Sequence, residues 1–423
     1  MNYIFLAFVA AFFFMIDLYV FKGVKVFALS LENPSAQEWT IRLFWIINNA
    51  FYVLVAVAFI FLDRSKGMQL LQKIAVNTFV ALIIPKLIFV AIMLGQDAFR
   101  LLEGAYNSLV GTPSDAFLPS RRAFVSKFAL AAAAIPFGAI VYGIFKGKYD
   151  YKVRKHSIFF KDLPDAFDGF TITQLSDIHA GSFDNPEAVK RGVALANAQQ
   201  SDLLVFTGDL VNNEATEIEP YLDIFKVLNA PFGKFSILGN HDYGDYKGWS
   251  SLEEKRANFA RLLRNHSALG FRLLLNENVT IEKNGQKITL LGVENWGQGF
   301  AQHGDLEKTM QGVANDSFKV LLSHDPTHWE LEVKPLAQHI HLTLSGHTHG
   351  AQMGVEIGNF KWSPIKFRYP KWAGLYEEAG KYLHINRGFG FLGFSGRVGI
   401  LPEITVLELK KEPLLSPLPM RGL

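Results

Sequence analysis

Five short polar clusters are the part of this sequence equipped for chemistry. They are Ser176-Asp177-Ile178-His179, Gly208-Asp209, Gly239-Asn240-His241-Asp242, Ser323-His324-Asp325 and Gly346-His347-Thr348-His349. Each directly follows an apolar run of strand character, and in an α/β sheet ligands bind beyond the carboxyl ends of the strands. Segments far apart in the chain are therefore expected to deliver aspartate, histidine and asparagine to one crevice. The donors are oxygen and imidazole only, because the 423-residue chain has no cysteine. Such a set suits Mn, Fe or Zn and does not choose among them. The lack of cysteine also excludes disulfides, thiolate metal sites and a cysteine nucleophile. A lone His or Asp at one strand end is ordinarily structural, whereas five clusters in order are hard to assign to coincidence. The glycines before Asp209, Asn240 and His347 let the chain turn at the strand end and let backbone approach a ligand.

The order of the clusters resembles the calcineurin-like metallophosphoesterase superfamily, whose pattern is D-x-H, then G-D, then G-N-H-[DE], then a lone His, then G-H-x-H. All five elements occur between Asp177 and His349, within a resemblance that covers roughly residues 150–410. The resemblance implies a four-layer α-β-β-α sandwich that binds two divalent metal ions. Carried over position by position, it assigns Asp177, His179, Asp209 and His349 to one ion. Asp209 bridges to the second, which also takes Asn240, His324 and His347. His241 is then the proton donor to the leaving group, and Asp242 orients it. The implied reaction is hydrolysis of a phosphoester or pyrophosphate bond by a hydroxide held between the ions. Both reactants are anionic, and two ions about 3.5–4 Å apart lower the pKa of water and draw charge off the phosphate oxygens. The departing oxygen needs a proton, which an imidazole can supply near neutral pH. The layout is most similar to the membrane-associated bacterial branch. That branch includes enzymes cleaving lipid-linked pyrophosphate and twin-arginine-exported phosphodiesterases, so the implied partners are a phosphate-ester substrate, a lipid-linked one included, and the export machinery.

The elements that must position these residues read as a soluble α/β unit. Phe170–Leu175, Leu203–Phe206, Phe235–Leu238, Ile288–Val293, Val320–Leu322 and Leu342–Leu344 read as buried strands, and Glu187–Gln200, Pro220–Leu228 and Leu252–Ser267 as helices. The Gly- and Phe-rich stretch Asn386–Gly399 has two readings. One is a loop at the site mouth, with Arg387 binding substrate phosphate; the other is a closing hairpin of the second sheet. Trp362, Tyr369 and Trp372 line a substrate cleft or serve as core or membrane-interface aromatics. His303, His328, His339, His341 and His384 fall outside the clusters and are read as ordinary.

The N-terminal third has a different texture. Four apolar segments, Tyr3–Phe21, Ile41–Leu62, Ile74–Leu94 and Phe124–Phe145, each approach the ~20 residues a helix needs to span a bilayer. The first lacks the basic start and small-residue cleavage site of a signal peptide. The expected organisation is a transmembrane region at 1–148, a metallophosphoesterase domain at 149–412 and a flexible tail at 413–423. Asp17 and Lys86 fall inside apolar segments, and Lys86 either pairs with Asp17 or snorkels at the Pro85 kink. Ser120-Arg121-Arg122-Ala123-Phe124-Val125-Ser126-Lys127 is similar to a twin-arginine export signal, though internal. Arg121 and Arg122 mark the cytoplasmic start of the fourth segment and put the catalytic domain outside the cytoplasm, as part of a multi-pass cell-membrane protein. Lys146, Lys148, Lys152, Arg154 and Lys155 pull the other way. The net charge of +3 predicts no nucleic-acid partner. Two other function classes compete: a non-catalytic scaffold with this fold, and a membrane receptor or transporter. The filled ligand positions argue against the first, and the few polar residues in the spans argue against the second.

Overall fold

The computed structural model describes residues 3–63, 68–110, 119–358 and 360–412. The tail expected at 413–423 and the side chain of Arg121 lie outside the described residues. The chain divides into two compact units, with the boundary between Ile144 and Phe145.

The first unit is four helices: α1 (Tyr3–Leu29), α2 (Pro34–Ile60), α3 (Leu70–Val110) and α4 (Pro119–Phe145). Asn33 starts α2, its side-chain oxygen accepting from the Ser35 amide at 2.9 Å ahead of a proline in the first turn. Among the described residues, α2, α3 and Arg122–Phe145 of α4 are long and apolar enough to cross a membrane. Their outward side chains are apolar, Ile46, Ile60, Phe128 and Ile135 among them, as lipid rather than water requires. Ile16, Val20, Phe89, Met93, Ala129 and Ala133 form the interior. Pro85 and Pro136 lie within α3 and α4; neighbouring helices re-satisfy the freed backbone groups in such settings. The third apolar segment was expected to end at Leu94, yet α3 runs on to Val110. Ala98, Leu101, Leu102, Glu103 and Ala105 favour helix without being a lipid-spanning run, so hydropathy marks the span and not the helix end.

Asp17 and Lys86 pair inside this unit, with Lys86 Nζ 2.6 Å from Asp17 Oδ1 and Asp17 1% exposed. Tyr52 donates its hydroxyl to the other carboxylate oxygen at 2.5 Å, and Lys86 also donates to the side-chain oxygen of Asn48. Each charge thus has a partner and a further hydrogen bond, the condition for tolerating an ion pair away from water.

The second unit contains β1 (Lys152–Phe160), β2 (Phe170–Leu175), α5 (Pro186–Asn197), β3 (Leu203–Thr207), α6 (Leu222–Lys226), β4 (Lys234–Ile237), α7 (Leu252–Ala268), β5 (Arg272–Leu273), β6 (Glu277–Lys283), β7 (Gln286–Gly292), α8 (Leu306–Thr309), β8 (Lys319–Leu322), β9 (Leu342–Ser345), β10 (Val355–Ile357), β11 (Phe360–Trp362), β12 (Gly374–Glu378), β13 (Lys381–Ile385) and β14 (Glu403–Lys411). One sheet runs β1-β14-β2-β3-β4-β5, the other β12-β13-β9-β8-β7-β6, and β10–β11 is a separate hairpin. Strands β2 to β5 are mutually parallel, as are β7, β8, β9 and β13.

Side-chain alternation along these strands builds the layers. Ile172, Leu203, Val205 and Ile237 of the first sheet pack between the sheets against Ile288, Leu290, Val320, Leu322, Leu342 and Leu344 of the second. The opposite face of the first sheet, with Leu175, Leu204 and Phe206, is covered by Val189 and Val193 of α5, Phe225 of α6 and Leu262 of α7. The outer face of the second carries Leu291, Leu321, Leu383 and Ile385 under Trp329 and Val333 of a π-helical turn. This is the expected α-β-β-α arrangement, with a thin outer layer on the second sheet.

The hairpin reading of Asn386–Gly399 is overturned. No strand of the two large sheets falls between β13 and β14. The Arg397 guanidinium donates to the carbonyls of Arg387 at 2.6 Å, Gly388 at 3.3 Å and, through Nε, Gly390 at 3.0 Å. A buried cation, not a strand partner, satisfies this backbone. Phe389 and Phe391 fill the core beneath it, against Tyr149 and Tyr151.

Removing one partner of the Asp17–Lys86 pair strands a buried charge and is expected to cost about 3–5 kcal/mol. Lys86→Met should therefore lower the thermal midpoint of the full chain in detergent, and Lys86→Met with Asp17→Asn should recover most of the loss. Additive losses in the double variant would show that the two charges do not stabilise one another.

Candidate metal centre

The sheets bring five strand ends to one edge. The clusters follow β2, β3 and β4, adjacent in the first sheet, and β8 and β9, adjacent in the second. Asp177, His179 and His349 gather as one group of potential ligands, and Asp209, His324 and His347 as another, the ligand atoms of each group lying within 4.8 Å of one another. Asp209 Oδ2 links them, 3.4 Å from His179 Nε2 and 3.1 Å from His324 Nε2. Asn240 joins the second group, its side-chain oxygen 2.9 Å from His347 Nδ1.

Five of these residues hold a left-handed backbone: Asp177 (φ 52°), His179 (47°), Asp209 (61°), His347 (71°) and His349 (50°). For residues other than glycine this costs roughly 1–2 kcal/mol each, and such strain gathers at functional sites. The turns also need close backbone approach. A Cβ on Gly239 would stand 2.2 Å from Asp209 Oδ1, and one on Gly346 would stand 2.3 Å from Asp177 Oδ2. Any side chain at either place would push a carboxylate out of the site.

Hydrogen bonds on the far side of the rings aim the near side. His324 Nδ1 lies 2.7 Å from the Thr207 carbonyl and donates to it, which turns Nε2 toward Asp209. His347 Nε2 faces the Tyr369 hydroxyl at 2.8 Å and Asp325 at 3.4 Å, leaving Nδ1 toward His324 and Asn240. The Asn240 amide nitrogen donates to Tyr246 at 2.8 Å, which turns its oxygen inward. Outer contacts of this kind set the tautomer of metal-binding histidines. On the other side, His349 Nδ1 accepts from Arg397 Nη2 at 3.0 Å while Nε2 faces Asp177 at 3.3 Å. Neither ring nitrogen of the fully buried His179 has a hydrogen-bond partner, nor has His349 Nε2. Orphaned buried nitrogens pointing at carboxylates are what a pair of cation sites requires.

The electrostatics agree with cation binding. Burial opposes the charge on Asp177, yet His349 and His324 hold its carboxyl well below the usual range. Asp209 is likewise held down against burial, by His324 and His241. Burial alone lowers His324, but the Asp209 and Asp177 carboxylates raise it to about 10. Burial depresses His179, His347 and His349, which favours the neutral form a metal ligand needs.

Two expectations are corrected by this geometry. Asp242 is not hydrogen-bonded to the His241 ring. Its carboxylate accepts the backbone amides of Gly239 at 2.9 Å, Asp209 at 2.9 Å and Leu210 at 2.8 Å, and so clamps two ligand turns together. Burial and the Asp209 charge push Asp242 up to about 7 against those amides. His241 is oriented instead by the Asn212 carbonyl, 2.8 Å from Nδ1, and lies edge-on to His179 and tilted over Tyr246. Arg387 does not reach the site mouth. It is 3% exposed, with Nη1 2.5 Å from Glu403 and Nη2 2.5 Å from Glu356. A guanidinium held by two carboxylates is not offered to a phosphate.

Sequence reading missed Arg397, and Tyr369 and Tyr246 gained their contacts only in the fold. No motif marks them. Of the remaining histidines, His328, His341 and His384 are buried, bonded to Ser323, Asp162 and Gln174.

Comparison with known proteins adds an independent line. A family model described as "Calcineurin-like phosphoesterase" matches residues 170–351, and one described as "Probable Calcineurin-like phosphoesterase, transmembrane domain" matches residues 1–148. The uncharacterized metallophosphoesterase YkuE of Bacillus subtilis is 32% identical over 298 residues, 69% of this chain and 98% of the relative. A transmembrane protein with metallophosphoesterase domain from Bos taurus is 27% identical over 402 residues, 90% of this chain and 84% of the relative. The uncharacterized metallophosphoesterase YkoQ of Bacillus subtilis is 28% identical over 291 residues, 66% of this chain and 98% of the relative.

The Arg387–Glu403 pair behind the site gives a pH signature. Burial would raise Glu403, but Arg387 and His384 bring it down to about 2 from an ordinary 4.5. A depressed carboxylate contributes stability that is complete above its unfolded pKa and is lost as pH falls through its folded pKa. Stability should therefore decline between about pH 4.5 and 2. Glu403→Gln should be less stable at pH 7 and decline less steeply in that window, as read by denaturant midpoints. Parallel pH profiles for the two proteins would contradict this.

Proposed function

We propose that this chain, which belongs to the calcineurin-like metallophosphoesterase family, is a membrane-anchored enzyme that hydrolyses a phosphoester or pyrophosphate bond at a two-metal centre. The observation that carries the reading is the convergence of Asp177, His179, Asp209, Asn240, His324, His347 and His349, with buried nitrogens left unpartnered. The proposed division is a membrane region at 1–148, a catalytic domain at 149–412 and a tail at 413–423, in keeping with the two compact units.

Asp177, His179, Asp209 and His349 would hold one divalent ion. Asp209, Asn240, His324 and His347 would hold the other, and the donors accommodate Mn, Fe or Zn. The ions, when bound, supply positive charge that acidifies water and withdraws charge from phosphate oxygens. The chain's own residues supply the rest. The Asp209 carboxylate offsets repulsion between two cations. The His241 amide donates to Asp209 Oδ1 at 2.8 Å, fixing the residue beside the centre. With Nδ1–H given to the Asn212 carbonyl, Nε2 is the atom left to exchange a proton with the leaving oxygen. The clamp at Asp242 holds the Asp209 and Gly239 turns in register for this.

The substrate we favour is borne by lipid, because the enzyme is fixed in the membrane and the spans offer no other evident task. Product profiling by mass spectrometry, with the full chain in detergent acting on lipid phosphates, lipid-linked pyrophosphates, nucleotides and phosphodiesters, tests this. Turnover of nucleotides alone would refute it.

Asp209→Asn should lose both metals or nearly so, read by elemental analysis. His241→Ala should keep metal and lose turnover by roughly 10²–10⁴-fold on esters with poor leaving groups. A nitrophenyl ester should be hurt less. Equal losses on good and poor leaving groups would remove His241 from the acid role.

The proposed orientation puts the catalytic domain outside the cytoplasm, with Arg121 and Arg122 at the inner face of α4. The opposing basic stretch is largely neutralised in the folded unit: Lys148 pairs with Asp184, Lys152 with Asp150 and Arg154 with Glu356. Alkaline phosphatase fused after Leu423 should be active and a cytoplasm-only fluorophore dark. Arg121→Lys with Arg122→Lys should strand the domain inside if a twin-arginine route is used. The opposite reporter pattern would reverse the topology.

A further inference from the structure

The hairpin β10–β11 wears its amphipathicity inside out. Val355 lies opposite Trp362 and Ile357 opposite Phe360, so all four side chains share one face. That face is exposed, Ile357 by 73% and Phe360 by 62%. The other face carries Glu356 and Lys361, and it is the one fastened to the body. Glu356 accepts from Arg387 at 2.5 Å and from Arg154 at 2.6 Å. Lys361 donates to the Ala373 carbonyl at 2.5 Å and lies 4.6 Å over the Tyr376 ring. The next turn repeats the theme, with Phe367 81% exposed between Lys366 and Arg368. In water a strand pair turns its charges out and its apolar face in. Here the ion pairs hold the apolar face outward.

We propose that this hairpin and the Phe367 turn form a contact surface for an anionic bilayer, seating the metal centre at the headgroup layer. An apolar strip flanked by basic side chains is the composition that enters the boundary between headgroups and acyl chains. Between Met353 and Ala373 the chain has four basic residues, Lys361, Lys366, Arg368 and Lys371, against one acidic residue, Glu356. Lys371 is paired with Glu330 and Glu378 and Lys361 is fastened to the body, which leaves Lys366 and Arg368, on either side of Phe367, to face anionic lipid; the chain's own spanning helices tether this unit to a bilayer. Trp362 is suited to that boundary, with an apolar body and a polar N–H.

The surface is also wired to the centre. β10 starts six residues after His349, and Tyr369, which contacts His347 Nε2 at 2.8 Å, follows Trp362 by seven residues. Ser363 donates to the Gly350 carbonyl at 2.7 Å, so the hairpin is fastened to the turn that carries His349. Arg387, expected to bind phosphate, instead anchors the hairpin. The lipid contact stands without catalysis; its use in presenting substrate rests on the phosphoesterase reading above.

The absence of cysteine makes the test direct. The full chain, one copy per nanodisc, carries a nitroxide on Phe360→Cys or, as a water-exposed reference, on Leu252→Cys. In discs of phosphatidylcholine with phosphatidylserine, the label at 360 should be relaxed by oxygen more than by a nickel chelate, and the label at 252 the reverse. Equal nickel access at both positions overturns the proposal. Shielding from both reagents at 360 overturns it too, because that is contact with protein. In the same discs, Ile357→Asp with Phe360→Asp should lower turnover of an embedded nitrophenyl phosphatidyl ester at least about tenfold. Soluble bis(nitrophenyl) phosphate should be unaffected. Equal loss on both substrates refutes the presenting role. If wild type hydrolyses neither ester, phosphodiester hydrolysis fails and the presenting role with it, while the spin labels still decide the lipid contact.

Discussion

Asp209 shares one buried carboxylate between two groups of histidines, and the surrounding structure is arranged to keep it there. Its Oδ2 lies within 3.4 Å of both His179 and His324, its Oδ1 accepts the His241 amide, and its own amide is held by Asp242. Burying such a charge is costly unless it is paired and hydrogen-bonded. The opposing charge at hand is His324, whose raised pKa is the counterpart of Asp209's depression. A protonated imidazole can balance one carboxylate, but Asp177 stands close by as well, and Asp242 is pushed up by the same crowding. Divalent cations bound between these groups would relieve the conflict at Asp177 and Asp209.

The fold carries the strain that this arrangement demands. Parallel strands β2, β3 and β4 end side by side, and β8 and β9 of the facing sheet end opposite them. The turns leave the strands in left-handed conformations at five ligand positions. That cost is tolerated because the strands beneath are fixed by the apolar layer between the sheets, from Ile172 and Val205 to Leu322 and Leu344. Behind the first group of ligands, the loop after β13 closes over the site, with Arg397 bonded to three of its carbonyls and to His349.

The central part of this was legible in the sequence because its signals are local. Each ligand turn is a short motif after an apolar run, and the buried strands β2, β3, β4, β8 and β9 are such runs. Strands β1 and β14 were not legible. β1 (Lys152–Phe160) is partly exposed and mixes charges with apolar residues, and the mostly buried β14 (Glu403–Lys411) also carries charges; what makes both of them strands is pairing with segments far along the chain. Arg387 and Asp242 were misread for a related reason. Residue type announced a phosphate ligand and a histidine partner, but only the fold supplies Glu403 and Glu356 to the one and four backbone amides to the other. The hairpin β10–β11 was hidden likewise, because its outward face looks like core in sequence.

In the proposed centre Asp209 joins two cations. Anomalous diffraction from crystals of the full chain grown with Mn measures this most directly. A shared centre gives two anomalous peaks about 3.5–4 Å apart with the Asp209 carboxylate between them. A single peak, or two peaks that do not share Asp209, would contradict it.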